Sequence, residues 1–401
     1  MLKDLMQIQN YRLFLVNMTL LGMAVALSAP FLVIFMTETH GMTTAQYGIF
    51  MALVAIGGFT MNTIVGRLSD IVRFERKYII LIGLVMEIIA FSSYLIIGNV
   101  WLLAASYIIF AALGAPAMPQ LYASARESIN AYRSSIAVMA NTVLRSTFSF
   151  GFLFGPLIGS LLLAGFGFKG LFSGTVITFT IVLILSLMIK PVKSKEVTTV
   201  QSTPVLLNEK APNMLKNWKL LLPFIAFTML HVGQWMYLLN MPLFVTQYLG
   251  RTEGAVGILA SLCAGLEVPF MIFMGYMAGR ISSKTLLIFG GILGAGYFLS
   301  IGVFNSFTAM LIGQVPLSIF LAILLGLGIS YFQDLLPKFP GYASTMFANA
   351  MIIGQLLGNL LGGLASDIVG LENSFFLAGA FLTVAFILFC FTGNEVKEGV
   401  V

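Results

Sequence analysis

Residues 78–98 read YIILIGLVMEIIAFSSYLIIG, twenty-one positions with a single charge, Glu87. A helix needs roughly 20 apolar residues to cross about 30 Å of hydrocarbon. A strand of a membrane barrel would be about ten residues of alternating polarity. The stretch therefore reads as a transmembrane helix, with Arg76 and Lys77 at its start.

Eleven more stretches of this kind surround it. The spans fall at 11–37, 45–66, 78–98, 101–124, 135–163, 170–190, 218–248, 254–278, 284–304, 306–332, 341–366 and 374–393. The predicted fold is an all-α membrane protein of twelve helices in two six-helix parallel pseudo-repeats. Composition agrees: 59% of the 401 residues are hydrophobic, 9% are charged, and the mean hydropathy is +0.99. A soluble chain carries about 25% charged residues. The first apolar run is too long for a removable signal segment. Cys263 and Cys390 both lie in apolar runs and predict no disulfide framework.

Cytoplasmic loops of membrane proteins are enriched in Lys and Arg. With the N-terminus inside, 18 of the 21 basic residues fall on inner segments. Lys169 and Arg251 fall outside, and Arg145 lies within a span. Both termini are thus expected in the cytoplasm, and the net charge of +6 needs no nucleic-acid partner. A polar linker, 191–217, separates an N-terminal half, 1–190, from a C-terminal half, 218–401. Short matches link the halves at offsets of 208–212. Residues 29–33 (APFLV) resemble 241–245 (MPLFV), 47–49 resemble 256–258, and 139–141 resemble 347–349. Six spans per half make the repeats parallel.

Charges at depth in a bilayer are expensive and point to function. Three stand out: Glu87, Arg145 and Glu267. At about 1.5 Å per residue, Arg145 lies roughly 15 Å and Glu267 roughly 16 Å from the inner ends of their spans. Opposite charges at one depth read either as a structural pair or as a proton carrier, Glu267, with an exchanging partner, Arg145. Glu87 has no evident partner, and a protonated, structurally satisfied carboxyl is its simplest reading. Polar and aromatic residues in the spans suit a neutral polyhydroxylated solute: Gln120, Asn141, His231, Gln234, Trp235, Tyr237, Asn240, Gln314, Asn349, Gln355 and Asn359. Each serves equally well as interhelical glue. His231 has no second histidine within the spans, so no metal site is expected.

Gly151, Gly155 and Gly159 repeat every four residues, as do Gly354, Gly358 and Gly362. Such rows allow close helix packing, or a smooth surface on which one half rocks against the other. Pro156 permits a bend. After span two, Gly66 and Asp70 with Arg73, Arg76 and Lys77 read as an inner latch or as plain positive-inside charge. No nucleotide-binding loop and no convergent catalytic group appears, so a transporter driven by an ion or solute gradient is favoured over an enzyme.

The two sets of six spans, the linker and the Gly66–Asp70 signature resemble the major facilitator superfamily. The glycine usual after the aspartate is missing here. Gly151–Ser160 is similar to the span-five motif of proton antiporters in that superfamily. Residues 117–127 (AMPQLYASARE), 265–269 (GLEVP) and 331–337 (YFQDLLP) resemble the bacterial sugar efflux transporter family. That resemblance implies proton-coupled export of sugars or glycosides by alternating access, across a bacterial cell (inner) membrane. It implies that Arg145 and Glu267 meet where the halves join, and that Asp334 is an inner gate or second proton site. Arg126 and Glu127 lie in the first of these stretches and count as gating candidates with Gly155 and Pro156. A monomer in lipid is expected, without cofactor beyond the proton. A multidrug–proton antiporter of the same fold is the alternative.

Overall fold

The computed structural model describes residues 7–71, 75–132, 137–190 and 212–392, and every regular element among them is helical. The helices in chain order are α1 (Tyr11–Thr39), α2 (Thr44–Ile71), α3 (Arg76–Ile96) and α4 (Val100–Ile129). After the helical stretch Ala137–Leu187, which holds α5 and α6, come α7 (Trp218–Tyr248), α8 (Glu253–Ala278) and α9 (Ser283–Phe304). The last are α10 (Phe307–Leu335), α11 (Pro340–Val369) and α12 (Leu371–Phe391). Cys263 and Cys390 are free thiols. Most of the linker, 191–211, lies outside the described residues.

Among the described residues, eleven continuous helical stretches are long and apolar enough to cross a membrane. The expected twelve are recovered because one of them, Ala137–Leu187, holds two helices. Drawn straight, its 51 residues would run about 75 Å, more than twice the hydrocarbon thickness. Gly167 breaks it, with φ 63° and ψ −166°. A Cβ built on Gly170 would lie 3.1 Å from the carbonyl oxygen of Leu162, eight residues back. Only a reversed chain brings those atoms together. α5 is therefore 137–166 and α6 is 168–187.

The chain divides into two compact units. The first takes the described residues of Met1–Leu32 and Leu53–Glu209, and the second takes those of Val33–Ala52 and Lys210–Val401. In the first, α5 lies on α1 through its glycine row. A methyl group at Gly155 would come within 2.6 Å of Ala26 Cβ and 2.9 Å of Met23 O, and Gly151 and Gly159 abut the carbonyls of Thr19 and Leu27. In the second, α11 lies on α7 in the same way. A Cβ at Gly354 would sit 2.9 Å from Thr228 O, one at Gly358 2.7 Å from Val232 O, and one at Gly362 3.1 Å from Met236 Cα. Both rows are closed against a helix of their own unit. Gly155 is closely packed against α1 of its own unit.

These contacts set the register of the internal repeat. Thr19 and Thr228, Met23 and Val232, and Leu27 and Met236 are each 209 positions apart, while the paired glycines are 203 apart. The turn after α1 recurs after α7 at the 209 offset. Phe35–Thr39 and Phe244–Tyr248 are single π-helical turns. Gly41 and Gly250 follow, with φ 69° and 61°. The Met42 N–H donates to Met36 O at 3.0 Å, and the Arg251 N–H to Val245 O at 3.0 Å. A left-handed residue at that point costs a side chain about 1–2 kcal/mol, and glycine avoids it.

Against this register, the match of 47–49 with 256–258 is correct. The match of 29–33 with 241–245 is three residues out, and that of 139–141 with 347–349 is five out. Identical side chains drew those pairings, whereas backbone contacts set the true one.

The compact units depart from the sequence boundary in one place. Residues 33–52, the end of α1 and the start of α2, belong with the C-terminal helices. Gly48 abuts the carbonyl of Asn359, and a Cβ at Gly363 would sit 3.1 Å from Ala45 Cα, so two backbones run in contact there.

Candidate functional site

The polar residues of α7 and α11 fall into two groups. Asn240 is fully engaged. Its amide donates to Gly362 O at 3.2 Å and Ser374 Oγ at 3.0 Å, and its oxygen accepts from Ser366 Oγ at 2.7 Å. Tyr237 and Gln314 are likewise buried among α7, α9 and α10. The two hydroxyls of Tyr237 and Tyr297 lie 3.2 Å apart, and Gln314 Nε2 donates to Tyr297 at 3.0 Å, to Tyr237 at 3.4 Å and to Met310 O at 2.9 Å. These bonds between buried side chains tie α7 to its neighbours, although Gln314 Oε1 has no partner among the described residues. The sequence could not separate them from solute ligands, because it names the residue type and not its neighbours. Ser366, Ser374 and Tyr297 went unremarked as their partners.

The second group keeps polar atoms uncommitted. His231 Nδ1 meets Gln234 Oε1 at 2.9 Å, while its Nε2 has no partner among the described residues. Asn359 Nδ2 is in the same state. Gln234, Trp235, Asn349 and Gln355 are half-buried. The contacts of Gly354 with His231 and of Gly358 with Trp235 set these turns of α7 and α11 side by side. Amide and indole groups at neighbouring turns can donate to and accept from hydroxyls and stack on an apolar sugar face. Asn141 lies on α5, but its side chain is outside the described residues.

Gln120, also expected at the solute, is buried in α4 and accepts from Arg76 Nη1 at 2.8 Å. Arg76 Nε also donates to Glu127 Oε1 at 2.6 Å. Glu127 and Gln120 thus belong to one bonded group joining the start of α3 to α4, and Arg76 is its centre. The neighbouring Lys77 Nζ donates to Leu187 O at the end of α6, at 2.7 Å. Arg126 is exposed. Gly66 lies on α2, the Asp70 side chain and all of Arg73 lie outside the described residues, and the latch reading of that loop therefore stays with the sequence.

Arg145 is exposed on α5 and Glu267 is half-buried on α8. The two belong to different units, and neither makes an ion pair among the described residues. Cys263 lies one turn from Glu267 on α8, where Ser318 Oγ donates to the Cys263 carbonyl at 3.1 Å. The Glu87 carboxyl lies against Gly114 of α4, where a Cβ would approach Glu87 Oε1 to 2.7 Å. Asp334 is exposed near the end of α10. Among the described residues no group of three His, Cys, Asp or Glu could hold a metal ion.

A family model described as Major Facilitator Superfamily matches residues 14–232 and, a second time, 223–400. Sugar efflux transporter A of Dickeya chrysanthemi is 30% identical over 372 residues, 93% of either chain. Sugar efflux transporter C of Escherichia coli (strain K12) is 29% identical over 378 residues, 94% of either chain. Among solved structures, the nucleoside transporter NupG superposes with a TM-score of 0.77 at 15% identity, over 95% of this chain and 97% of that one. A D-xylose-proton symporter does so with a TM-score of 0.75 at 14% identity, over 98% and 99%. At such identities the solved structures speak to the fold alone.

Proposed function

Because the chain belongs to the Major Facilitator Superfamily, a family of multi-pass membrane transporters, we propose that it exports a sugar or glycoside in exchange for protons by alternating access. The observation that carries this reading is the near-full-length likeness to relatives named sugar efflux transporters. The set on α7 and α11 supports it: Gln234, Trp235 and Gln355 are half-buried, and beside them the buried His231 Nε2 and Asn359 Nδ2 have no partner among the described residues. Glu267 is the proton carrier in this reading. It is a half-buried carboxyl with no ion partner among the described residues, and it can cycle between charge states without breaking a structural bridge. Arg145 is the cation that favours its ionised form at one stage of the cycle. Glu87 and Asp334 are secondary proton sites.

The chain acts as a monomer in the bacterial cell membrane with both termini in the cytoplasm. The strong bias of Lys and Arg to alternate connections supports that orientation. Purified protein in liposomes with an imposed pH gradient tests the whole reading, with mono- and disaccharides, glycosides and a cationic dye as solutes. Proton-driven movement of a sugar or glycoside is expected. Movement of the dye alone would replace it with a drug exporter.

A further inference from the structure

The first turn of α2 exposes amides that the helix itself cannot satisfy. Local sequence takes care of one. Thr43 Oγ1 accepts from the Gln46 N–H at 3.2 Å, and Gln46 Oε1 accepts from the Thr43 N–H at 3.0 Å, a reciprocal capping box. The next two go to a residue 323 positions away. Asp367, near the end of α11, accepts from the Thr44 N–H through Oδ1 at 3.0 Å and from the Ala45 N–H through Oδ2 at 3.1 Å. One carboxylate thus spans two amides at the positive end of a helix dipole. Beside it, Glu38 Oε1 at the end of α1 accepts from Thr246 Oγ1 and Gln247 Nε2 at the end of α7, both at 3.3 Å.

These bonds have no copy in the repeat. At the 203 offset Ala164 stands where Asp367 does, and Thr252 makes no side-chain cap at the start of α8. Asp367 is therefore specific to the C-terminal half. α1 and α2 each change unit along their length, at residues 32–33 and 52–53. Bonds that seat 33–52 on α7 and α11 decide where that tip rests.

We propose that Asp367 is a positioning residue of the transport cycle, a releasable clasp that holds the α1–α2 tip on the C-terminal unit. The tip leaves α11 when the carboxylate lets go of the two amides.

The test uses the full chain in liposomes with Cys263→Ser and Cys390→Ser. Spin labels are placed through His40→Cys and Val369→Cys, and distance distributions are read by pulsed electron resonance. Asp367→Ala is expected to raise the population of long distances over short by about fivefold, the worth of a typical helix cap. Asp367→Glu should restore the short distance. Thr44→Pro keeps the acid but removes one donor at the first helical position, where proline is tolerated. It should shift the population the same way by a smaller factor. Unchanged distances in both Asp367→Ala and Thr44→Pro, in protein that elutes as a single folded species, would overturn the proposal. So would equal shifts in Asp367→Ala and Asp367→Glu.

Discussion

Arg76 holds Glu127 at 2.6 Å while its other arm reaches Gln120 at 2.8 Å, so one guanidinium ties the start of α3 to two turns of α4. The two bonds differ in surroundings. Gln120 is buried, whereas the Glu127 side chain is 52% exposed. Arg76→Ala should therefore cost about 1–3 kcal/mol, because a buried amide loses a charged donor. Glu127→Gln should cost less than about 1 kcal/mol, since exposed ion pairs are screened by water. Thermal unfolding of the two variants in detergent checks the order, which would reverse if the ion pair dominated.

The glycine rows predict a position-dependent result. Gly155→Ala and Gly358→Ala should each cost about 1–3 kcal/mol by overpacking, since the added methyl meets backbone atoms that cannot move aside. Gly275→Ala should be neutral or mildly stabilising, for nothing lies within 4 Å of the new Cβ. Equal melting temperatures for Gly155→Ala and Gly275→Ala would refute the packing role.

Asn240 and Gln355 separate glue from ligand contact. Asn240→Leu removes partners from Ser366 and Ser374 and should lower stability by about 1–3 kcal/mol. Gln355→Leu leaves no bonded neighbour behind and should leave the melting temperature alone while raising the solute concentration needed for half-maximal transport. A melting shift for Gln355→Leu with unchanged transport would move it into the structural group.

Glu267→Gln should abolish solute movement driven by a pH gradient while sparing exchange of labelled for unlabelled solute, because the amide cannot release a proton. Retained coupling in this variant would remove Glu267 from the proton path.

The fold was largely legible. Low charge and apolar runs suffice to place twelve spans, and the fused α5–α6 stretch yields its two helices once Gly167 is seen to turn the chain. The glycine rows were legible too, because spacing by four fixes a face whatever it packs on. Candidate ligands were legible only as types. Asn240 and Gln355 are both amides in apolar helices, and only the hydroxyls of Ser366 and Ser374 distinguish them. Asp367 escaped notice for a related reason. Its partners are backbone amides, which every residue has, so no sequence pattern announces them. The Thr43–Gln46 capping box was the one local sign that α2 begins at Thr44.

The register of the repeat carries a lesson for building on this chain. Its offset is 209 from α1 to the start of α2, 207 at the starts of α3 and α4, and 203 along α5. The break at Gly167 keeps that last value, for Gly370, with φ 90°, is its counterpart. Insertions and deletions since the halves diverged therefore lie around the α2–α3 and α4–α5 connections and their partners. The turns at Gly41 and Gly250, and those at Gly167 and Gly370, have kept their lengths. A reporter tag or an epitope belongs in the connections whose lengths have already drifted, and not at the glycine turns.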